Sequence, residues 1–224
     1  MFCYAPRQRV TLLLAIQMKI TVGQISDICW NTGFWIFLDI GFSSRVKSCG
    51  LLLHASEPKE LLFSDAVNAI IEITMKHELV NLLIEAPLSV AFDSSGNPKG
   101  RAIEKEGSKT RYWYIGPGCA VMVATFYLLR ALMDTTSHSE VRLFEGFVSY
   151  KKKGSKSNHS RDVQLLREVV QSPKKYRECI YPPKALLMNQ EDHLVSSFKV
   201  GGMDFGIPPL IMRYVRDTRT VIKL

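Results

Sequence analysis

Cysteine is scarce and scattered: residues 3, 29, 49, 119 and 179 form no C-x-x-C pair. A zinc ribbon and a disulfide framework are therefore not expected, and a reducing, cytoplasmic setting with no disulfide-linked partner is the simplest reading. No G-x-x-x-x-G-K-[ST] loop and no G-x-S-x-G elbow occurs, which disfavours P-loop enzymes and α/β-hydrolases. No internal repeat is visible, and no apolar run is long enough to cross a membrane. Val10-Thr11-Leu12-Leu13-Leu14-Ala15-Ile16 follows Arg7 and Arg9 as in a signal peptide. It is short, however, lacks a small-x-small cleavage site, and gives way to Gln17 and Lys19. Residues 1–33 read as an N-terminal extension, and no membrane partner is expected.

What is present is ordinary in bulk and uneven in charge. At 224 residues with 46% hydrophobic content, the chain can bury a full core as one domain, taken as residues 34–224. Lys and Arg total 29 against 21 Asp and Glu, a formal net charge of +8. That excess favours an anionic partner, nucleic acid before membrane.

The informative stretch is Phe34-Trp35-Ile36-Phe37-Leu38-Asp39-Ile40-Gly41, an apolar strand with one carboxylate near its end and a Gly/Ser turn after it. A second strand, Ser48 to His54, follows closely and makes a hairpin. An aspartate in a buried strand is costly unless a partner, proton or metal compensates it. The alternative is that the strand ends one residue early and Asp39 caps the turn. Lys59 to Phe63 reads as a third strand, with Ser64 as N-cap of a helix carrying Val67, Ile70, Ile71 and Met75 on one face. Leu79 to Glu85 is a further apolar strand with an acid at its carboxyl end, closed by Pro87.

Polar sequence from Ser94 to about Thr110 reads as a long loop. Its Lys99, Arg101 and Arg111, beside Tyr112-Trp113-Tyr114, are candidate phosphate and base contacts; the alternative, favoured for the aromatics, is that they pack as a strand while the lysines stay solvated. Pro117 to about Met133 is apolar all round and reads as a buried helix. Val141 to Tyr150 alternates as a strand with Glu145 inside it, and Lys151, Lys152 and Lys153 form a basic turn that could hold a backbone phosphate. A helix follows from His159 to Val170. Residues 191–198 read as a last helix, with Asp192 and Ser196 on one face at i, i+4.

In this order, Leu38-Asp39-Ile40-Gly41-Phe42-Ser43, Leu83-Ile84-Glu85-Ala86-Pro87-Leu88 and Glu191 to Phe198 resemble the RNase H-like superfamily, in particular its RuvC-like and uncharacterised predicted-nuclease branches. The resemblance spans roughly Gly33 to Leu210. It implies an α/β fold with a central mixed β-sheet flanked by α-helices, and carboxylates that hold two divalent ions, Mg²⁺ or Mn²⁺. Carried over, Asp39, Glu85 and Asp192 are the catalytic metal ligands, with Glu145, Glu191 or the His159/Asp162 pair as substitutes for a fourth ligand whose position Ser196 occupies. Hard oxygen donors suit those ions, and two ions roughly 4 Å apart can activate water and stabilise the leaving oxygen of a phosphodiester. The implied function is a metal-dependent nuclease acting on DNA or RNA, and a homodimer is compatible with it. Two other readings stand beside it. One is a catalytically inactive nucleic-acid-binding module of the same fold. The other is an actin-like phosphotransferase, suggested by Asp39-Ile40-Gly41 followed by hydroxyl residues but weakened by the absence of a second such strand.

Overall fold

The computed structural model describes residues 17–41, 47–106, 109–110, 117–149 and 158–214. In chain order the strands and helices are β1 (Lys19–Val22), β2 (Phe34–Asp39), β3 (Cys49–Leu53), β4 (Lys59–Leu61), α1 (Phe63–Thr74), β5 (Leu79–Glu85), β6 (Ser89–Phe92) and β7 (Pro98–Lys99). They continue with β8 (Lys105–Glu106), β9 (Lys109–Thr110), α2 (Pro117–Met133), β10 (Glu140–Ser149), α3 (His159–Gln171), β11 (Ile180–Tyr181), β12 (His193–Ser196), α4 (Ser197–Val200) and β13 (Leu210–Tyr214).

The expected mixed central sheet flanked by helices is present. Its order is β11-β13-β10-β5-β2-β3-β4, with β1 paired to the first half of β10. β3 runs antiparallel to both of its neighbours, β2 and β4, whereas β2, β5, β10 and β13 are mutually parallel. The parallel strands read as near-continuous apolar runs because both their faces are covered. Alternation along each strand divides the core in two. Ile36, Leu38, Leu82, Ile84, Val141 and Leu143 pack with α1 and α2 on one face. Trp35, Phe37, Leu83 and Phe144 pack with Val163, Leu166, Val169 and Val170 of α3 on the other. The sheet also reaches back past residue 33, since Lys19 to Val22 lies in register with Glu140 to Leu143.

Four local expectations change. The first helix starts at Phe63 with Leu62 at its N-cap and no side-chain cap bond, so Ser64 lies inside the first turn instead of capping it. The helix at Pro117 is not buried all round: Leu128, Leu129 and Leu132 are fully buried, but Val123 is 59% and Tyr127 65% exposed. The polar stretch after Ser94 is not a plain loop; it carries β7, a 3-10 turn at Ala102–Glu104 and the β8–β9 hairpin. The expected last helix is mostly strand. β12 pairs antiparallel with β6, Leu194 opposite Ala91 and Ser196 opposite Ser89, and only Ser197–Val200 is helical. Pairing to an available edge outweighs a short helical periodicity that has little intrinsic strength of its own.

Phe37 is fully buried between the sheet and α3. Phe37→Ala is expected to cost about 3–5 kcal/mol, the range for deleting a buried aromatic ring. Chemical denaturation would record it as a lower midpoint at unchanged slope.

Candidate functional site

Asp39 is the last residue of β2 and Glu85 the last of β5, and the two are register partners in adjacent parallel strands. Alternation puts both on the α3 face, in step with Phe37 and Leu83. Glu85 Oε1 accepts a hydrogen bond from the Val148 amide of β10 at 3.1 Å. Asp39, only 5% exposed, lies with its Oδ2 2.7 Å from His159 Nδ1.

The first turn of α3 completes the cluster. Asn158 caps the helix by accepting from the Arg161 amide at 2.9 Å, which presents His159 and, one turn on, Asp162 to the end of β2. Ligand atoms of Asp39, His159 and Asp162 all lie within 4.8 Å of one another, and Asp162 is buried. Among the described residues this is the one group of His, Cys, Asp or Glu side chains gathered so closely. The amino end of a helix carries partial positive charge, which offsets part of the cost of two converging carboxylates. The close approach depends on two glycines. A Cβ at Gly41 would sit 2.6 Å from His159 Nε2, and one at Gly50 would meet the His159 carbonyl and lie 2.9 Å from its Cβ. Beside the cluster, Cys49 donates its thiol to the Gly41 carbonyl at 3.7 Å. Burial pushes that thiol's pKa up, and the Asp39 charge adds to the effect, so Cys49 is a poor source of thiolate.

The other residues singled out from the sequence lie elsewhere. Glu145 shares its face of β10 with Val141 and Leu143, the face opposite Asp39 and Glu85. It is fully buried, with Oε1 2.7 Å from Arg101 Nη1 and Oε2 accepting from the Leu88 amide at 3.2 Å. It is an interior ion-pair partner, not a neighbour of the Asp39 cluster. Arg101 is fully buried as well, and also reaches Glu104 at 2.9 Å and Ser89 Oγ at 3.0 Å. It therefore presents nothing to a nucleic-acid backbone, contrary to expectation. Lys99 is paired with Asp192 Oδ1 at 2.9 Å. Asp192 occupies a turn before β12, takes a further bond from the Asn189 amide, and is not in the Asp39 cluster. Burial pulls its carboxyl up, but the Lys99 and Asn189 bonds outweigh this and hold it below the usual range. Glu191 is exposed in the same turn. Arg111, Tyr112, Trp113, Tyr114, Lys151, Lys152 and Lys153 lie outside the described residues.

Two further outcomes follow. Gly50→Ala should push the start of α3 off β3 and separate His159 from Asp39. Should the cluster hold Mn²⁺, a folded variant is expected to bind it at least about tenfold more weakly, the scale of a disturbed ligand support, measured by isothermal titration. The second concerns pH. Burial pushes the Glu145 carboxyl up to about 7 from an ordinary value of 4.5, against the pull of Arg101. Between about pH 4.5 and 7 the folded state thus keeps a proton there that the unfolded chain has already released, and the contact with Arg101 becomes a full ion pair above that range. The associated stability is complete below about pH 4.5 and is lost as pH rises toward 7. Melting temperatures between pH 5 and 8, in roughly that window, should fall with pH more steeply in the wild type than in Glu145→Gln.

Searches against protein-family models, curated proteins and solved structures returned no match for the chain.

Proposed function

We propose that the protein is a metal-dependent phosphodiester hydrolase of RNase H-like fold that acts on nucleic acid. One observation carries this reading: Asp39, His159 and Asp162 offer ligand atoms within 4.8 Å of one another, and Glu85 ends the neighbouring parallel strand in register with Asp39. Carboxylate oxygens with one imidazole suit Mn²⁺ or Mg²⁺, and a bound cation would offset the repulsion between the two buried carboxylates. The strand plan supports the reading too, with three antiparallel strands continued by parallel ones and helices on both faces. The set that fits differs from the one the sequence resemblance first suggested: His159 and Asp162 take the place of Asp192 as companions of Asp39 and Glu85.

Bound ions would supply a polarised water and charge stabilisation at the scissile phosphate. The chain's own part is to orient and to move protons. Asp39 and His159 share a short contact; metal ligation needs an unprotonated ring nitrogen and ionised carboxylates, so metal affinity should rise with pH. Glu85 is held by the Val148 amide, which orients its carboxylate. The basic excess of +8 would draw a polyanion toward it.

Incubation with labelled single-stranded, duplex, hybrid and branched nucleic acids in Mg²⁺ or Mn²⁺ tests the proposal. Cleavage is expected, reduced at least about a hundredfold by Asp39→Asn or Asp162→Asn, the scale of losing one preorganised electrostatic partner. Asp192→Asn should retain activity. Absence of cleavage on every substrate, or cleavage indifferent to Asp39→Asn, would sink the assignment. Salt-sensitive binding without turnover would instead favour the inactive binding module.

A further inference from the structure

On the opposite face of the sheet from the metal cluster lies a fully buried charged group: Arg101, Glu104 and Glu145, with Ser89. Its bonds converge on one short stretch of backbone, the Ala86–Ser89 segment that continues directly from Glu85. Glu145 Oε2 accepts from the Leu88 amide at 3.2 Å. Arg101 Nη1 donates to Ser89 Oγ at 3.0 Å while it pairs with Glu145 at 2.7 Å. Ser197 closes the other side, its amide donating to the Leu88 carbonyl and its hydroxyl to the Pro87 carbonyl, both at 3.0 Å. Glu145 itself precedes Gly146, the residue of β10 in register with Glu85.

Resting on the metal-site reading above, we infer that Glu145 and Arg101 are positioning residues for Glu85. They clamp the backbone that leaves β5, from the far side of the sheet, and so set where the Glu85 carboxylate ends. Burying one guanidinium against two carboxylates is no economical way to stabilise a core, because apolar packing commonly does as well or better. Such a cluster has a geometric use: it fixes several elements in one arrangement. Here it ties β6, the 101–104 turn and β10 to the residues that follow a metal ligand, and supports around a ligand carry much of a site's affinity. Asp39, by contrast, is met from its own face by His159.

The decisive measurement is Mn²⁺ affinity, followed by electron paramagnetic resonance of the free ion, with melting temperature recorded alongside. The full chain would be compared with Glu145→Leu, Glu145→Gln, Arg101→Lys and a core control, Leu132→Ala. Leu132 is buried near the carboxyl end of α2, close to where β10 begins. Glu145→Leu is expected to weaken Mn²⁺ binding by about 10–100-fold. Glu145→Gln keeps an acceptor for the Leu88 amide and should lie nearer the wild type. Leu132→Ala, although destabilised, should bind within about twofold of it, because distant sites act independently. If Glu145→Leu does not fold, Arg101→Lys carries the same decision. Affinity that merely follows melting temperature across all variants, or that is unchanged in the clamp variants, overturns the inference and leaves the metal site standing. A wild-type protein that binds no Mn²⁺ overturns the metal-site reading and this inference with it.

Discussion

The candidate site is arranged around the cost of burying Asp39. Its carboxylate is nearly sealed from water, its register partner is another acid, and a third acid approaches from α3. Charges of one sign in a medium of low polarity repel strongly, and they persist only where a proton, a cation or a fixed dipole compensates them. His159 supplies the first contact, and the amino end of α3 supplies a dipole. The glycines at 41 and 50 remove the side chains that would keep that helix away. A short strand end, a helix start and two missing Cβ atoms thus serve the same pair of atoms.

The sheet keeps its two kinds of buried charge apart. On the α3 face the carboxylates of Asp39 and Asp162 converge with the imidazole of His159. On the α1 and α2 face Glu145 and Glu104 are answered by Arg101, which makes them structural. A single strand, β10, serves both: its Val148 amide orients Glu85 on one side, while its Glu145 side chain holds Leu88 on the other. Period-two alternation is what lets one strand take such different duties on its two sides.

Much of this was legible in the residue order. The runs ending at Asp39 and Glu85 could be read as buried strands because continuous apolar residues leave little else, and an acid at each end marked them. The helix from His159 was legible from Val163, Leu166 and Val170. The small sheet was not. Its strands at Pro98–Lys99 and His193–Ser196 are too short to show a period, and they exist only because β6 offers an edge. Arg101 in a polar stretch looked like a surface contact, since only its partners at 89, 104 and 145 reveal that it is inside. A charged residue's burial depends on distant neighbours, and local composition carries no record of them.

The proposed exchange of Asp192 for Asp162 follows from the same reasoning. A ligand carboxylate has to be held to within a fraction of an ångström, which favours long, packed elements over turns. Asp192 sits in a turn before a four-residue strand and is already committed to Lys99. Asp162 sits in the first turns of a thirteen-residue helix whose apolar side packs on β2 and β10 through Val163, Leu166, Val169 and Val170. His159 and Asp162 are three residues apart, so one helix face delivers both to the same point. That spacing was present in the sequence, as was the asparagine cap before it. Nothing short of the three-dimensional path of α3 across β3, however, distinguished this pair from an ordinary solvated helix start.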